Sequence, residues 1–460
     1  MKKSTVLSFE EAESYINETP RFATKHTMED TRAFLHSLGD PDRKLKIIHV
    51  AGTNGKGSVC AYLRSILETA GYRVAVFTSP HLLDIRERFV VDGDMISRED
   101  FLRIFLQVYE ALDWRALEQE LPGAYHPSYF EYLFFMAMLF FTERQPDFCI
   151  LETGLGGRLD ATNSVSHKEL AVITRIGLDH TEYLGDTVEK IAGEKAGIMA
   201  ENTPVVFWDT NPEISAVFQE KAACFGIFAD FVSKKDYTFG KFVNKTIDFS
   251  LNTRYYGYIS LTLYTIAAYQ MENASLAVRA IETLDQGRTI TAAQIKEGVK
   301  ACFWAGRMEE VLPEVYVDGA HNEDGIRAFL ETVAQDGLTA RTDPKGYVCH
   351  GQTECLETGR SLLFAAVKDK DCRSMVERLV RSGLFDRIAI ARLQTDRSSA
   401  PESLVRLFAQ CSYVRLDVYR NVKEAFESLL SARRPGERIY VAGSLYLAGE
   451  IKELISHDKF

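Results

Sequence analysis

An apolar strand that runs directly into a glycine-rich loop, at residues 47–58, is the feature that most constrains the fold of this chain. The segment reads Ile-Ile-His-Val-Ala-Gly-Thr-Asn-Gly-Lys-Gly-Ser, and an amphipathic helical pattern begins at about Val59. Glycine tolerates unusual backbone angles and has no Cβ, so the backbone N–H groups of residues 52–57 can face phosphate oxygens. Lys56 adds a positive charge, Ser58 can reach a Mg²⁺, and the positive end of the helix dipole lies at the same place. The segment therefore predicts an α/β unit that binds a nucleotide.

The loop departs from the general phosphate-loop pattern G-x-x-x-x-G-K-[ST]. Val50 stands where the first glycine is expected, and Gly57 separates Lys56 from Ser58. A plain glycine turn is the alternative interpretation. The buried strand before the loop and the amphipathic helix after it favour nucleotide binding.

Length and composition indicate a soluble globular protein of two or three domains. The chain has 460 residues, of which 46% are hydrophobic and 26% charged, and one ordinary core does not extend over such a length. The formal net charge of −11 argues against nonspecific binding to nucleic acid. An anionic ligand such as ATP then needs local positive pockets on an acidic surface.

Cysteine usage and hydropathy predict a cytoplasmic protein that does not associate with a membrane. The eight cysteines are scattered and form no C-x-x-C pair, which is typical of reduced thiols in the cytosol. No targeting segment is visible at the N-terminus. The most apolar run, at 132–141, is far shorter than the ~20 residues of a membrane span, so we expect a buried helix there.

Strand-like and helical patterns alternate along most of the chain, which predicts α/β layers around largely parallel sheets. Ser97 and Asp100 resemble a capping box that opens one of the helices. A stretch of alternating polar and apolar residues at 237–264 predicts a small antiparallel addition. The predicted strands of the first part are 45–50, 73–77, 147–152, 170–174 and 203–207, and the predicted helices are 58–70, 97–112, 128–143, 187–199, 212–225 and 265–284.

A second α/β series begins near Val315, after a linker predicted at 301–310. The polar, irregular segment at 337–360 is interpreted as a surface loop or insertion. The predicted strands of this second series are 315–318, 362–367, 387–391, 414–418 and 438–442.

Polar side chains at the ends of predicted strands are the candidates for chemistry. Glu152 ends a buried strand and opens a second glycine-rich loop, and in phosphate-loop proteins a carboxylate in such a place holds Mg²⁺. A capping or solvated glutamate is the alternative. His180 follows the strand at 170–174, and a metal role for it requires that strand to lie beside the one that ends at Glu152.

Three further features of the sequence are candidates for a functional site. None indicates a site by itself, but together they favour one. Lys195 lies late in a helix among Gly193, Ala196 and Gly197, which leave room for a chemical role. Arg307 lies on a glycine turn between the two parts of the chain, and arginine suits a bidentate hold on phosphate. The next strand ends in Asp-Gly-Ala-His-Asn at 318–322. These loops can face one another across a cleft between two sheets.

The chain strongly resembles the folylpolyglutamate synthase and dihydrofolate synthase family, within the Mur ligase superfamily. The matching stretches follow the family's order over nearly the whole chain. They are His-Val-Ala-Gly-Thr-Asn-Gly-Lys-Gly-Ser (49–58), Thr-Ser-Pro-His (78–81), Glu-Thr-Gly-Leu-Gly-Gly-Arg-Leu-Asp-Ala-Thr-Asn (152–163), Leu-Asp-His (178–180), Glu-Lys-Ala-Gly-Ile (194–198), Trp-Ala-Gly-Arg-Met-Glu (304–309), Asp-Gly-Ala-His-Asn (318–322), Lys-Asp-Lys-Asp (368–371) and Gly-Ser-Leu-Tyr-Leu-Ala-Gly-Glu-Ile (443–451).

The resemblance implies an N-terminal P-loop ATPase-like domain with a mostly parallel sheet and a small antiparallel sheet, followed by a C-terminal Rossmann-like α/β domain. The implied domains are 1–303, the ATP-binding Mur ligase central type, and 304–460, the C-terminal glutamate-ligase type. It also implies an ATP-dependent ligase. ATP phosphorylates a carboxylate of folate or dihydropteroate, and the amine of L-glutamate attacks the resulting acyl phosphate. The expected partners are these small molecules alone, and the expected state is a monomer.

The resemblance also implies roles for individual residues. In this family the lysine that matches Lys195 is carbamylated by CO₂, which turns a cation into an anion able to face Mg²⁺. The implied catalytic residues are Lys56, Glu152, His180 and Lys195, and two Mg²⁺ would be held by Ser58, Ser79, Glu152, His180 and Lys195. The implied ATP-binding residues are Gly52, Thr53, Asn54, Gly55, Lys56, Gly57, Ser58, Asn273, Arg307, Asp318 and His321, and the pterin would contact Pro80, Phe130, Asp160 and Ala161.

Three alternatives were weighed against this interpretation. A Mur-type cell-wall ligase carries a whole nucleotide-sugar domain before the loop, and fewer than sixty residues precede Lys56. A catalytically inactive ATP-binding regulator is disfavoured because Lys56, Glu152, His180, Lys195 and Arg307 are all present. A P-loop kinase would not require the Glu-Lys-Ala-Gly block. Whether dihydropteroate, reduced folates or both are substrates stays open, and we expect both.

Overall fold

The structure is a computed structural model that describes residues 5–20, 27–336, 359–411 and 415–457. Most of the insertion predicted at 337–360 lies outside the described residues. Within the described part, no helix is both long enough and apolar enough to cross a membrane.

A large, mostly parallel sheet forms the centre of the first part of the chain. Its strand order is β4-β3-β2-β5-β1-β6-β7-β8. Pairing is parallel from β2 to β8, and only β3 and β4 run antiparallel to their neighbours. The strands are β1 (Ile47–Ala51), β2 (Val74–Phe77), β3 (Phe89–Val91), β4 (Asp94–Met95), β5 (Phe148–Glu152), β6 (Leu170–Ile173), β7 (Val205–Trp208) and β8 (Ala229–Val232).

Helices cover both faces of this sheet because its central strands are apolar on both sides. Successive residues of β1 serve opposite faces: Ile47 packs in one core, and Ile48 with Val50 packs in another. The helices of this part are α1 (Phe9–Glu18), α2 (Met28–Ser37), α3 (Lys56–Thr69), α4 (Arg98–Glu110), α5 (Trp114–Glu118), α6 (Tyr129–Arg144), α7 (Thr181–Leu184), α8 (Val188–Lys195) and α9 (Pro212–Phe225).

The predicted antiparallel addition is confirmed as a three-stranded sheet. It contains β9 (Tyr237–Val243), β10 (Thr246–Asn252) and β11 (Tyr258–Leu263), in the order β11-β10-β9. Alternate residues of β10 and β11 are buried, and their apolar side chains join the core that also holds α3. Two helices follow, α10 (Gln270–Asp285) and α11 (Ala292–Ala301).

The second part of the chain is a three-layer α/β unit, as the sequence predicted. Its six-stranded sheet has the order β12-β13-β17-β14-β15-β16, with only β12 antiparallel. Helices α12, α13 and α14 cover one face of this sheet, and α15 and α16 cover the other, each group with its own hydrophobic core. The elements are β12 (Glu309–Leu312), β13 (Val315–Val317), α12 (Glu323–Asp336), β14 (Arg360–Phe364), α13 (Cys372–Ser382), β15 (Arg387–Ile390), α14 (Pro401–Cys411), β16 (Arg415–Val418), α15 (Val422–Ser431), β17 (Arg438–Ala442) and α16 (Leu445–His457).

Some local predictions were wrong. The helix predicted at 265–284 begins only at Gln270, and the one predicted at 187–199 ends at Lys195, where a 3₁₀ turn takes over. Ser97 caps α4 by accepting the N–H of Asp100, but the Asp100 carboxylate pairs with Arg103 and Arg144 rather than closing a capping box. Nearby guanidinium groups bind that carboxylate in place of a backbone N–H.

The packing of α11 against α3 generates a stability prediction. A Cβ on Gly298 would lie 2.5 Å from Ile66 Cα, which is backbone and cannot swing away. We expect Gly298→Ala to lower the free energy of unfolding by about 1–3 kcal/mol, the usual range for overpacking. Thermal and denaturant unfolding of the full chain would measure this loss.

A matched control is available in α8. A Cβ on Gly193 would meet nothing within 4 Å, so Gly193→Ala should be neutral or slightly stabilising, because alanine has the higher helix propensity. Equal unfolding midpoints for Gly298→Ala and the wild type would contradict the packing described here.

Candidate functional site

The candidate site lies where the carboxyl ends of the central strands meet. Strand β1 pairs in parallel with β5 on one side and β6 on the other, with Val50 beside Glu152 and Ala51 beside Ile173. The glycine loop, Glu152 and the segment 174–180 therefore share one edge of the sheet. A metal role for His180 was expected to require that β6 lie beside β5, the strand that ends at Glu152. This condition is not met, because β1 lies between β5 and β6.

The first half of the glycine loop is fixed by the loop that follows β6. The backbone N–H groups of Thr53 and Asn54 donate to the Arg175 carbonyl at 2.9 and 3.2 Å. The hydroxyl of Thr174 donates to the Asn54 carbonyl at 2.7 Å. Of the amides of residues 52–57, which were predicted to be able to face phosphate oxygens, those of Thr53 and Asn54 are therefore already bonded. The first turn of α3 keeps amides without a carbonyl partner inside the helix, so that turn is the anion-binding part of the loop.

Close contacts with α10 and the linker explain why two positions in the loop are glycine. Gly55 has φ of 91°, and a Cβ there would collide with the Asn273 side chain. A Cβ on Gly57 would lie 2.8 Å from the Trp304 ring. The structure thus places the predicted residue Asn273 directly against the loop.

Gln270 is a site residue that the sequence analysis missed. Its side-chain amide donates to the Ser58 hydroxyl at 3.2 Å and accepts a hydrogen bond from Asn273 at 2.9 Å. All three side chains are buried. Gln270 thereby orients the hydroxyl that was predicted to reach Mg²⁺, and its position just inside α10 gave no local signal of this role.

The ammonium group of Lys56 lies over the loop that carries it. Nζ donates to the carbonyls of Gly52 and Thr53 at 3.1 and 3.3 Å. Carbonyls are weak partners for a full charge, so an anionic phosphate would compete well for this lysine.

Glu152 is a buried carboxylate beside cations. Oε2 accepts the Ser79 N–H at 3.0 Å, and the residue is 3% exposed. Burial raises the pKa of Glu152, while Lys56 and Arg307 act in the opposite direction. The predicted residue Ser79 is thus placed beside Glu152, with its backbone as the contact.

Lys195 is almost completely buried, with 4% of its surface exposed. Burial and the neighbouring charge of Lys56 lower the pKa of Lys195 to about 7, against the attraction of Asp179 and Asp160. No hydrogen bond or ion pair to its amine is found among the described residues. A buried amine of this kind is neutral in part at pH 7 and is chemically reactive.

The two glycines near Lys195 have different surroundings. Gly193 faces open space, and a Cβ on Gly197 would collide with the backbone of Arg158. The glycine at 197 therefore lets the second glycine-rich loop pass close to the helix end. Burial, rather than small neighbours, distinguishes Lys195.

Asp179 connects the two parts of the chain. Its carboxylate pairs with Lys370 at 2.6 Å, accepts from Asn322 at 3.0 Å and lies 3.8 Å from His321 Nε2. Burial alone would raise the pKa of Asp179, but His321 and Lys370 hold it below its ordinary value. Asn322 also exchanges hydrogen bonds with Asn54 at 3.1 and 3.2 Å.

Both predicted histidines lie in this contact region. Burial lowers the pKa of His180 and of His321 to about 4, and Lys370 adds to the effect on each. His180 has φ of 49° and directs Nε2 to within 3.2 Å of Lys370 Nζ. Lys370 lies in the quoted Lys-Asp-Lys-Asp stretch, but its spacing alone did not assign it a partner.

Asp318 and Arg307 hold the linker in place. The Asp318 carboxylate accepts from Tyr269 at 2.5 Å and from the backbone amides of Met308 and Ala320 at 3.0 and 2.8 Å. Arg307 donates to the Gly306 carbonyl at 2.8 Å and lies close enough to Asp318 and Glu152 to affect the pKa of each. The direct contacts of Asp318 are thus structural.

The residues predicted to contact a pterin lie around the second glycine-rich loop. The Phe130 ring packs 5.6 Å from that of Phe77 and leaves no room for a Cβ on Gly154. Asp160 is buried, and its oxygens accept from Leu155 and Thr162. Pro80 is exposed and Ala161 is buried. The structure does not show Asp160 with an oxygen left for a ligand.

The donors around Glu152 fit a magnesium site that is completed by phosphate. No group of three or more His, Cys, Asp or Glu side chains in the described part of the chain could hold a metal on its own. Mg²⁺ needs no such cage, since it keeps waters and binds through one or two carboxylates plus nucleotide phosphates. A buried carboxylate, a buried hydroxyl and the first turn of α3 provide that chemistry.

Comparisons with known proteins agree with this geometry. The chain matches the family model of the Mur ligase middle domain over residues 50–281. It is 33% identical over 455 residues to the dihydrofolate synthase/folylpolyglutamate synthase of Bacillus subtilis, and the match covers 97% of this chain and 99% of that one. E. coli FolC in complex with DHPP and ADP is similar in structure, with a TM-score of 0.82, 26% identity and 100% of both chains covered. Mycobacterium tuberculosis folylpolyglutamate synthase complexed with ADP and AMPPCP has a TM-score of 0.84 at 26% identity, with 98% of each chain covered.

The fold and the strand-end site thus define an ATP-dependent ligase of the Mur ligase type. The chain belongs to the dihydrofolate synthase/folylpolyglutamate synthase family.

The position of Lys56 generates a binding prediction. Replacing it with methionine keeps the bulk and removes the charge, so we expect kcat/KM for ATP to fall about 10²- to 10³-fold, as for other lost charge-stabilising groups. Affinity for ADP by calorimetry and steady-state turnover would measure the effect. The unfolding midpoint should change little, because within the described part of the chain the Lys56 amine donates hydrogen bonds to carbonyls of its own loop alone.

Lys190→Met is the matched control, since the Lys190 side chain is 63% exposed and forms an ion pair with Asp186. If the Lys56→Met protein had the same kinetics as this control, the assignment of Lys56 to the nucleotide site would be wrong.

Proposed function

We propose that this ligase adds L-glutamate to the carboxylate of both dihydropteroate and reduced folates, through an acyl-phosphate intermediate. The observation that carries the proposal is that Lys56, Glu152 and His180 lie at or just beyond strand ends of one sheet edge, with Lys195 near enough to Lys56 and His180 for their charges to interact. The name of the Bacillus subtilis relative combines both activities, and a solved FolC complex contains DHPP with ADP. These comparisons support a single site that serves both substrates.

In the first step, the substrate carboxylate attacks the γ-phosphorus of ATP and ADP departs. The first turn of α3 and Lys56 would hold the phosphates, which offsets the repulsion between two anions. Asn273 and Arg307 are proposed to contact the nucleotide from α10 and from the linker. Thr53 and Asn54 would act through the shape of the loop, because their amides are already bonded.

Mg²⁺ would be held by Ser58, Ser79, Glu152, His180 and Lys195, and when bound it neutralises the charge that develops on the transferred phosphoryl group. Gln270 would orient the Ser58 hydroxyl for this purpose. Burial keeps water away from the Glu152 carboxylate, which strengthens its interaction with any cation.

Lys195 can serve as a metal-facing group only after its charge is reversed. Its neutral amine can react with CO₂, forming an N–C bond and releasing one proton, to give a carbamate whose single negative charge is shared by two oxygens. The lowered pKa of about 7 makes the neutral form available near neutral pH. This reasoning supports the carbamate as a proposal.

In the second step, the amine of L-glutamate attacks the acyl carbon and phosphate leaves. The second part of the chain contacts the site through His321, Asn322 and Lys370, so the nucleophile is expected to bind in the cleft between the two parts. A pterin would lie along Phe130, Ala161 and Pro80, with Asp160 shaping that wall.

The substrate assignment has a direct test. Purified protein should release ADP in the presence of L-glutamate with dihydropteroate and, separately, with a reduced monoglutamyl folate, and mass spectrometry should show each product heavier by one glutamyl residue. If product forms from only one of the two acceptors, the protein has one of the two activities and the proposal of both is wrong. ATP binding without ADP release would instead support the inactive regulator.

Lys195→Ala tests the carbamate. We expect turnover to fall by about 10²-fold or more, with partial recovery on adding acetate, because a free carboxylate can occupy the space of the carbamate. Turnover by wild-type protein should also fall when CO₂ is removed and when the pH is lowered below about 7, since protonated Lys195 cannot react.

Lys168→Ala is the matched control for a buried lysine. Burial also lowers the pKa of Lys168 to about 7, but its amine donates to Asn163 at 2.6 Å and to the Ile198 carbonyl at 2.7 Å. Its loss should reduce stability, and acetate should not restore activity. Acetate rescue of both variants, or of neither, would discard the carbamate.

A further inference from the structure

His49 is a polar side chain buried in the middle of the central strand β1. The residue is completely buried, and its neighbours along the sheet are Leu151 of β5 and Ala171 of β6. Ile47, two positions earlier on the same face of β1, packs in the core that also contains Ala161. An apolar side chain would fill this place without the cost of removing an imidazole ring from water, so the polar atoms of His49 call for a partner.

Two short hydrogen bonds lead from this ring to the second glycine-rich loop. His49 Nε2 lies 2.7 Å from the hydroxyl oxygen of Thr162, and that hydroxyl donates to Asp160 Oδ1 at 2.5 Å. Because a hydroxyl has one hydrogen, the Thr162 oxygen must accept its second bond from His49, so Nε2 carries a proton. Burial lowers the pKa of His49 well below its ordinary value, so the ring is neutral and Nδ1 is unprotonated.

The Asp160 carboxylate closes the second glycine-rich loop on itself. The Leu155 N–H donates to Oδ2 at 2.8 Å, and the Thr162 N–H donates to Oδ1 at 3.1 Å. Burial raises the pKa of Asp160, and these donors act in the opposite direction by stabilising the anion. One carboxylate thus ties together positions from both sides of it, and His49 holds the hydroxyl that orients this carboxylate.

The loop fixed in this way carries two surfaces of the wall proposed for the pterin. At its start, Gly154 lies so close to the Phe130 ring that a Cβ would collide with it. At its end, Ala161 directly follows Asp160. Both oxygens of Asp160 already accept hydrogen bonds from the chain. The carboxylate therefore acts on a pterin through the placement of its neighbours.

We propose that His49 is a positioning residue for the pterin of the acceptor substrate. Through Thr162 and Asp160, its ring transmits the geometry of the rigid central strand to the wall that carries Ala161. The inference deepens the proposed function and rests on it, because it assumes that the pterin lies along this wall. One strand then serves both substrates, with His49 acting on the acceptor and the glycine loop after β1 acting on the nucleotide.

Equilibrium binding of the acceptor to the full-length protein tests the proposal. Calorimetry measures the affinity for dihydropteroate, and separately for a reduced monoglutamyl folate, in the presence of ADP. Thr162→Val keeps the bulk of the side chain and removes its hydroxyl, so we expect both acceptors to bind about tenfold more weakly, the scale of one lost hydrogen bond to a charged group. Thr162→Ser keeps the hydroxyl and should bind them almost as the wild type does.

Affinity for ADP alone provides the readout that general damage to the fold would also move. It should be unchanged in these variants, because the Arg175 carbonyl holds the glycine loop independently of Thr162. Thr283→Val is the matched control for a buried threonine. Thr283 lies in α10, and its hydroxyl donates to the Arg279 carbonyl at 3.0 Å. This control should change neither affinity.

Variants of His49 test the donor itself. Glutamine can place an amide N–H near the position of Nε2, whereas leucine has no donor, so His49→Gln should retain most of the acceptor affinity that His49→Leu loses. Nitrogen-15 spectra of histidine-labelled protein, assigned by the signal missing from His49→Gln, should show a neutral ring with its proton on Nε2. A proton on Nδ1 would overturn the direction of the hydrogen bonds and with it the proposed role.

The outcomes separate this inference from the proposed function. If the wild type binds the acceptors and Thr162→Val binds them equally well, the role of His49 is overturned and the proposed function stands. Equal losses in Thr162→Ser and Thr162→Val, or a parallel loss of ADP affinity, would also overturn that role. If the wild type binds neither acceptor, the proposed function is wrong and the inference fails with it.

Discussion

Parallel pairing of β1 with β5 and β6 is the constraint on which the rest of the molecule depends. Strands that run in one direction end at one edge, so the loop of residues 52–55, Glu152 and the segment 174–180 are brought together without any contact between their side chains being needed. The strands are apolar on both faces, and helices must cover both. The site is therefore a consequence of how the core is buried.

A second consequence of this parallel pairing is that several charged side chains lie together at a sheet edge with little access to solvent. Glu152 and Lys195 are buried and Asp179 is partly buried, and the pKa of each is shifted by burial and by neighbouring charges. Burial of an isolated charge is unfavourable, so such a cluster persists only when charges of opposite sign lie together. Cations from the C-terminal unit supply part of this compensation, which explains why the second α/β unit faces the first.

Much of the fold could be predicted from the sequence, because buried parallel strands are continuous apolar runs and strand-end loops carry glycine and polar residues. The strand order could not, since nothing local to β1 shows that it lies between β5 and β6. The pair of Asp179 and Lys370 joins residues 191 positions apart, and no spacing rule predicts it. The role of Gln270 was hidden for the same reason. The capture of the Thr53 and Asn54 amides by Arg175 involves backbone atoms only, so residue identity carries little information about it.

The hydrogen bonds that the Arg175 carbonyl accepts from the glycine loop have a consequence for molecular recognition. A loop rich in glycine would ordinarily lose much conformational entropy when it closes around a ligand. Here the loop is already held in one shape by its neighbour, so little of the binding free energy is consumed in ordering it. The junction between the two units depends instead on side-chain contacts, in which Asp179 and Asn54 bond to Lys370 and Asn322. The nucleotide loop is thus a preformed surface, fixed by backbone bonds that most changes of side chain would leave in place.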